Sequence, residues 1–273
     1  MRKILALLNH LETSGAVLVA ADLAAGRLRA AEIGVLHVRP ASDPSFLPTE
    51  EVMTPDRKTR FEADAKARSA ALRAAFEAWR ARRGPGAAAT WREVIGEEPS
   101  VVAAEGDKAG LIVIGRAAHN EPGDGKAAIE AALFKSSAPV LLVPETPPAS
   151  IGAHVAVAWK ASATAERAIL VMAPLLRAAG RVTILIGEEP DGERALPDDL
   201  VAMIGASGRA PATHHFQLGG LSAGVALLGE AHRIGADALA MGAYAHRRFL
   251  EILIGGATRD VLAHADMPVF LHH

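Results

Sequence analysis

The chain contains no cysteine in 273 residues, which excludes disulfides, thiolate zinc sites and thiol nucleophiles. It also lacks an excess of charge, since 29 Lys and Arg against 31 Asp and Glu leave a formal net charge of -2. A non-specific polyanion binder carries a basic excess or a basic face, so neither nucleic acid nor a membrane surface is an expected partner, and any phosphate contact must be local. Long apolar runs are missing as well. In the opening stretch MRKILALLNHLETSG, residues Asn9, His10 and Glu12 interrupt the run before a signal-peptide core or a membrane span could form. The expectation is a cytoplasmic protein.

What is present is a repeat. AGLIVIGRAAH (109–119) matches ADALAMGAYAH (236–246), and KSSAPVLLVP (135–144) matches HADMPVFLHH (264–273). In both halves an apolar run ends in glycine, a looser segment and a helix follow, and a Pro-started apolar run closes the unit. The length suits two domains of about 130 to 140 residues, each able to bury a core without staples. The expected division is 1–144 and 153–273, with 145–152 as a linker whose prolines resist helix and ladder pairing.

Elements alternate within each copy. The first half reads as strand KILALLN, a helix from about Ser14 to Ala30, strand EIGVLHV, a Pro-rich loop through Pro55 and a long helix to Arg83. Strand TWREVIG, a helix opened by Pro99, strand LIVIG, a helix around Lys126 to Lys135 and strand VLLV follow. The second half repeats the order: HVAVAW, a helix over Ala163 to Ala178, RVTILIG, a helix near Asp198 to Ala206, ATHHFQL, a helix over Ser222 to Ile234, ALAMG, a helix over Gly256 to Ala265, and PVFLH. Short continuous Val, Ile and Leu runs between helices indicate a parallel sheet covered on both faces. The predicted fold class is therefore α/β: two tandem doubly wound αβα sandwich domains, each with a five-stranded, mainly parallel sheet. Ligands of such folds sit beyond the carboxyl ends of the strands where the winding reverses.

The stretch MGAYAHRRFLEILIGGATRD (241–260) carries the chemistry. Gly242 ends a strand, where a missing side chain lets backbone amides approach a ligand. Gly255 and Gly256 open the last helix, whose free N–H groups and dipole favour an anion. Between them His246, Arg247 and Arg248 can supply charge-assisted contacts. Glycine after a strand and before a helix is also an ordinary turn device, so spacing alone does not settle phosphate binding.

This pattern resembles the tandem universal stress proteins, whose nucleotide signature is Gly, two residues, Gly, nine residues, then Gly with a small or hydroxyl residue. Gly242 matches the first glycine, Ala245 replaces the second, Gly255 matches the third, Gly256 stands where serine is frequent, and Ala257 and Thr258 continue the pattern. The resemblance implies ATP or a related adenine nucleotide, with Mg²⁺, held in the second half, with Ala158, Trp159 and Lys160 at the adenine and ribose end. Lys160 occupies a place where the family often carries an acidic residue, and Asn9 stands there in the first half. The first half keeps Gly115 but has Ala118 for the second glycine. Ala128 and Ile129 on one count, or Lys126 and Ala127 on another, replace the Gly-Ser pair, so its site is expected to be lost. The GDGK stretch there lacks the spacing and the following hydroxyl of a phosphate loop. The family also implies pairing of units through their last strands, VLLV and VFLH, as an intramolecular pseudo-dimer, with a homodimer open as well.

Other residues have simpler readings. His214-His215 and His272-His273 are adjacent on strands and point to opposite faces, so neither pair suits one metal; His119 and His246 are loop residues near the ligand edge. Ser162 and Thr164 are read as helix caps, not nucleophiles. In the long helix Phe61, Ala65, Leu72, Phe76 and Trp79 form an apolar stripe, and the interspersed Glu62, Asp64 and Glu77 make the charged face a solvated one. The expected function is stress response through ligand-modulated binding of an unidentified protein partner, without catalytic residues or metal ligands from the protein. The alternatives are a nucleotide-independent interaction module and a weak nucleotide hydrolase, for which only Glu251 and Thr258 offer oxygen ligands to Mg²⁺.

Overall fold

The computed structural model describes residues 3–41, 54–116, 124–187, 198–204, 210–243 and 256–273. The first half contains β1 (Ile4–Leu7), α1 (Leu11–Leu28), β2 (Glu32–Pro40), α2 (Pro55–Arg82), β3 (Ala88–Gly96), α3 (Glu98–Gly106), β4 (Leu111–Gly115), α4 (Asp124–Phe134) and β5 (Val140–Val143). The second contains β6 (His154–Trp159), α5 (Ala163–Ala178), β7 (Arg181–Gly187), α6 (Asp198–Ile204), β8 (Ala212–Phe216), α7 (Ala223–Arg233), β9 (Ala238–Gly242), α8 (Gly256–His264) and β10 (Val269–His272).

The strands form one sheet in the order β3-β2-β1-β4-β5-β10-β9-β6-β7-β8. Within each half all pairings are parallel, and the winding reverses between β1 and β4 and between β6 and β9. The two halves meet at β5 and β10, which run antiparallel with Phe270 opposite Leu141. The last strands thus pair inside the chain, and the two five-stranded units fuse into a ten-stranded sheet. Pairing both last strands internally leaves no edge there, so among the described strands the outermost are β3 and β8.

Helices cover both faces, and the buried residues divide into two clusters, one on each side of the sheet. Helix α1 lies close to the sheet because its inner face is small: Ala16, Ala20, Ala21, Ala24 and Ala25 are all buried. It begins at Leu11, a turn earlier than the serine at 14 suggests, because the Ser14 hydroxyl turns back to the Leu11 carbonyl (2.7 Å) instead of capping. It ends where Arg29 adopts φ 50° and Ala30 N–H reaches the Ala25 carbonyl at 2.9 Å, a left-handed stop made without glycine. Helix α2 starts with Thr54 accepting from Arg57 N–H at 3.3 Å and Pro55 in the first turn. Its stripe is buried at Leu72, Phe76 and Trp79 and half-buried at Phe61 and Ala65; Ser69, also inward, donates to Glu93 at 2.6 Å.

Two further contacts tie the halves: Arg27 Nε donates to the Ile151 carbonyl (3.3 Å), and Arg116 Nη1 donates to the Ala263 carbonyl (2.9 Å). Among the described residues no helix is long and apolar enough to cross a membrane.

Candidate functional site

In the second half the winding reverses at β6 and β9, and the candidate site is placed at the carboxyl ends of these two strands. The strand β6 delivers Ala158 half-buried, Trp159 buried and Lys160 exposed at this edge. The neighbouring β9 ends at Gly242, and Ala243 N–H continues the ladder to the His272 carbonyl at 2.7 Å. A Cβ at Gly242 would stand 3.4 Å from Ala165 Cα and 3.6 Å from the Thr164 carbonyl, so the glycine faces the first turn of α5 at ordinary contact distance. Ser162 caps that turn, accepting from Ala165 N–H at 3.2 Å. Thr164 lies inside the helix and is not the cap.

Helix α8 leaves the carboxyl end of β9 and returns to β10, so its N-terminus lies on this same edge. Gly256, its first residue, is exposed, and among the described residues no heavy atom lies within 4 Å of where a Cβ would be. The first turn of a helix presents unpaired N–H groups and about half a positive charge. Ala257 is half-buried and Thr258 buried. The neighbouring helix α7 crosses closely at Gly224, where a Cβ would meet the Ala257 carbonyl at 2.5 Å and Asp260 Cβ at 2.6 Å. That close crossing fixes where α8 begins. The structure therefore brings Ala158, Trp159, Lys160, Gly242, Gly256, Ala257 and Thr258 to one edge. Ala245, His246, Arg247, Arg248, Glu251 and Gly255 lie outside the described residues, as do Ala118 and His119.

The equivalent place in the first half is filled. Gly115 is buried at the end of β4, and a Cβ there would lie 2.5 Å from Thr13 Cβ, with the Thr13 hydroxyl closer still. Thr13 itself is buried in the first turn of α1. In α4, Ala128 and Ile129 are packed in the core, not presented to a ligand. At the end of β1 the Asn9 carboxamide is buried with neither polar atom hydrogen-bonded among the described residues.

The ionisable groups have structural surroundings. His37 bonds the Leu8 carbonyl through Nδ1 (2.8 Å), stacks on Trp91, and is held below the usual histidine range by burial. His154 Nε2 meets the Thr183 hydroxyl at 2.8 Å; burial first and the Arg181 guanidinium second lower its pKa. His272 is buried and likewise lowered by desolvation, then by His273. His214 pairs with Glu230 at 2.9 Å, while His215, its neighbour on β8, is exposed. Among the described residues no group of three or more His, Asp or Glu side chains could hold a metal ion.

One polar site was not evident in the sequence. Asp237, just before β9, accepts from Ser150 Oγ (2.6 Å), Gly152 N–H (3.1 Å), Ala153 N–H (2.9 Å) and His154 N–H (3.0 Å). It clamps the inter-half segment onto the sheet. The repeat offered a signal, since the matching position in the first half is Gly110.

Neither a family model nor a curated protein matches the chain. Solved structures do. A universal stress protein from Archaeoglobus fulgidus DSM 4304 superposes with a TM-score of 0.66 at 19% identity, over 99% of this chain and 96% of that one. A functionally unknown protein from Pseudomonas aeruginosa PAO1 gives a TM-score of 0.60 at 16% identity, over 100% and 92% of the two chains. At these identities the likeness is one of fold, and over its whole length this chain has the fold of the Archaeoglobus universal stress protein.

Proposed function

We propose that the chain is a cytoplasmic stress-response protein of the tandem universal stress protein kind, binding ATP or a related adenine nucleotide in its second half. The observation that carries this reading is the asymmetry between the two glycine-ended strands. Thr13 fills the space at Gly115, whereas among the described residues Gly242 has only ordinary contacts and nothing lies within 4 Å of a Cβ at Gly256. Phosphates would lie across Gly242, Ala245 and the N-terminus of α8, with Gly255 and Gly256 allowing backbone approach and His246 and Arg247 supplying charge. The ribose and base would lie toward Ala158, Trp159 and Lys160. Lys160 cannot accept a ribose hydroxyl as a carboxylate does, so this end is expected to hold the ligand weakly. Mg²⁺ would come bound to the phosphates, as the described residues offer it no cluster of ligands.

The output of such a site is a change of surface on ligand binding, read by a protein partner. Of the two oxygen ligands considered for a hydrolase, Thr258 is buried in α8 and Glu251 lies outside the described residues. Binding without turnover is the reading favoured. Equilibrium dialysis of the full chain against labelled ATP with Mg²⁺ tests it: saturable binding of one nucleotide per chain, reduced by a Gly242→Val substitution that projects methyls toward Ala165, is the expected result. Absence of binding would leave a nucleotide-independent interaction module.

A further inference from the structure

The two halves secure the amino end of their first strand with different chemistry. Lys3, just before β1, pairs with Glu32 at the start of β2 (3.1 Å) and lies over Gly34. The repeat puts His154 at the position of Lys3, Arg181 at that of Glu32 and Thr183 at that of Gly34, since Ile4 is level with Ile33 as Val155 is with Val182. An attractive ion pair in one half is thus replaced in the other by an imidazole against a guanidinium. That contact holds only while the ring is neutral.

The bonds of His154 fix the state of the ring and also supply an alternative to it. Arg181 Nη2 stands 2.6 Å from Nδ1, and a guanidinium can only donate, so Nδ1 carries the lone pair and Nε2 donates to the Thr183 hydroxyl at 2.8 Å. The Gly235 carbonyl also lies 3.2 Å from Nδ1, on the left-handed turn (φ 70°) between α7 and β9. Nδ1 is set between a donor and an acceptor and can serve one at a time. Proton uptake there makes it a donor, for which the Gly235 carbonyl is already in place, and the Asp237 carboxylate, bonded to His154 N–H at 3.0 Å, favours the added charge. Arg181 then loses its acceptor and faces a like charge. Its other bond among the described residues, from Nη2 to the Ile234 carbonyl, is 3.2 Å long and exposed. The remaining charged groups around this place are engaged elsewhere: His232 with Asp266 (2.7 Å), Arg233 and His214 with Glu230 (2.7 and 2.9 Å), and Arg27 with the Ile151 carbonyl. Burial first and the guanidinium second hold the ring neutral, so the exchange is driven by acid below the usual histidine range.

We propose that His154 is an acid-operated latch: on protonation its Nδ1 passes from Arg181 to the Gly235 carbonyl, and the Arg181 guanidinium is released from the end of α7 as a free cation on the amino edge of the second half. The charged ring keeps a partner at each nitrogen, Gly235 at Nδ1 and Thr183 at Nε2, so the exchange costs the fold only the bonds of Arg181. A switch needs two such arrangements that a single charge can choose between. The first half has no counterpart, because Lys3 and Glu32 attract each other until the carboxylate itself is protonated.

The test follows the isotope-labelled full chain by NMR from neutral to acid pH. At neutral pH the ring nitrogens of His154 should show Nδ1 without a proton and Nε2 with one. On acidification Nδ1 should gain its proton, and at the same midpoint the Arg181 side-chain N–H signals should shift and exchange faster, while the amides of β1 and β10 stay protected. Arg181→Met removes the competing cation and should move the His154 midpoint to higher pH, whereas Arg177→Met, at an exposed position on α5, should leave it in place. A proton on Nδ1 at neutral pH overturns the proposal, as does a His154 titration that leaves the Arg181 signals unmoved. Loss of protection in β1 and β10 at the same midpoint overturns it too, because Arg181 would then be freed by general unfolding. An Arg181→Met midpoint equal to that of the unaltered chain overturns the part assigned to the guanidinium, and if that variant fails to fold, the measurements on the unaltered chain decide.

Discussion

Replacing Asp237 by alanine should be among the costliest single changes outside the apolar core. The carboxylate receives four hydrogen bonds, from Ser150 Oγ and from three consecutive backbone N–H groups at Gly152, Ala153 and His154. A hydrogen bond to a charged acceptor contributes about 1.5–3 kcal/mol, and stranded N–H groups cost about 1–3 kcal/mol each when they stay dry. Asp237 is half-buried, so water can replace some of these partners, and the net loss on Asp237→Ala is expected near 3 kcal/mol. For a chain of this size that corresponds to a fall in Tm of roughly 6–12 °C, at about 2–4 °C per kcal/mol. Asp237→Asn separates charge from shape. Its single oxygen can keep Gly152 and His154 N–H, but its amide NH₂ then faces Ala153 N–H, so about half the loss is expected. Ser150→Ala removes one bond and should cost about 1 kcal/mol. Urea unfolding gives these values, and amide exchange at Gly152, Ala153 and His154 should quicken in Asp237→Ala before distant amides do. A loss below about 0.5 kcal/mol for Asp237→Ala, a level usual for surface substitutions, would refute the clamp.

Further expectations follow from packing and titration. Gly115→Ala should destabilise by about 1–3 kcal/mol because the new methyl meets the Thr13 side chain, and Thr13→Ala should relieve most of that cost in the double variant, a cycle read by urea unfolding. Gly224→Ala should cost at least as much, since its methyl meets the backbone carbonyl of Ala257, and it should also shift the amide resonances at the start of α8. His37, His154 and His272 have folded pKa values lowered chiefly by burial. The unfolded chain therefore takes up protons first, near pH 6.5; the stability these groups contribute is complete above that value and is lost as the pH falls through it toward their folded values. Urea midpoints measured across that range should decline with acidification, and a flat profile would contradict neutral buried rings.

Much of the architecture was legible because it rests on local patterns. Continuous apolar strands such as LIVIG and HVAVAW, alternating with helices, give a parallel sheet covered on both faces, and the repeated Gly115 and Gly242 mark the two reversals of winding. Ser162 was legible as a cap because hydroxyl residues before an apolar-periodic run serve that purpose. Less legible were features that depend on pairs distant in sequence. The start of α1 at Leu11 carries no side-chain cap, so no local signal marks it. That Thr13 fills the space at Gly115 depends on α1 lying close to β4, which its alanines permit but do not announce. The grip of Asp237 on residues 150–154 arises from a difference between two repeats that otherwise match, Gly110 standing at that position in the first half. Sequence comparison of the halves shows the differences; only the fold shows what each one touches.

The most direct test of the nucleotide site is calorimetric titration of the full chain with ATP and Mg²⁺ beside a Gly256→Glu variant. Gly256 is exposed with nothing among the described residues within 4 Å of a Cβ, so the new side chain should leave their packing intact while placing a carboxylate at the α8 N-terminus. Saturable binding to the native chain that is lost in Gly256→Glu, with unchanged Tm, is the predicted result. Binding equal in both proteins, or absent from the native chain, would contradict a phosphate site at the start of α8.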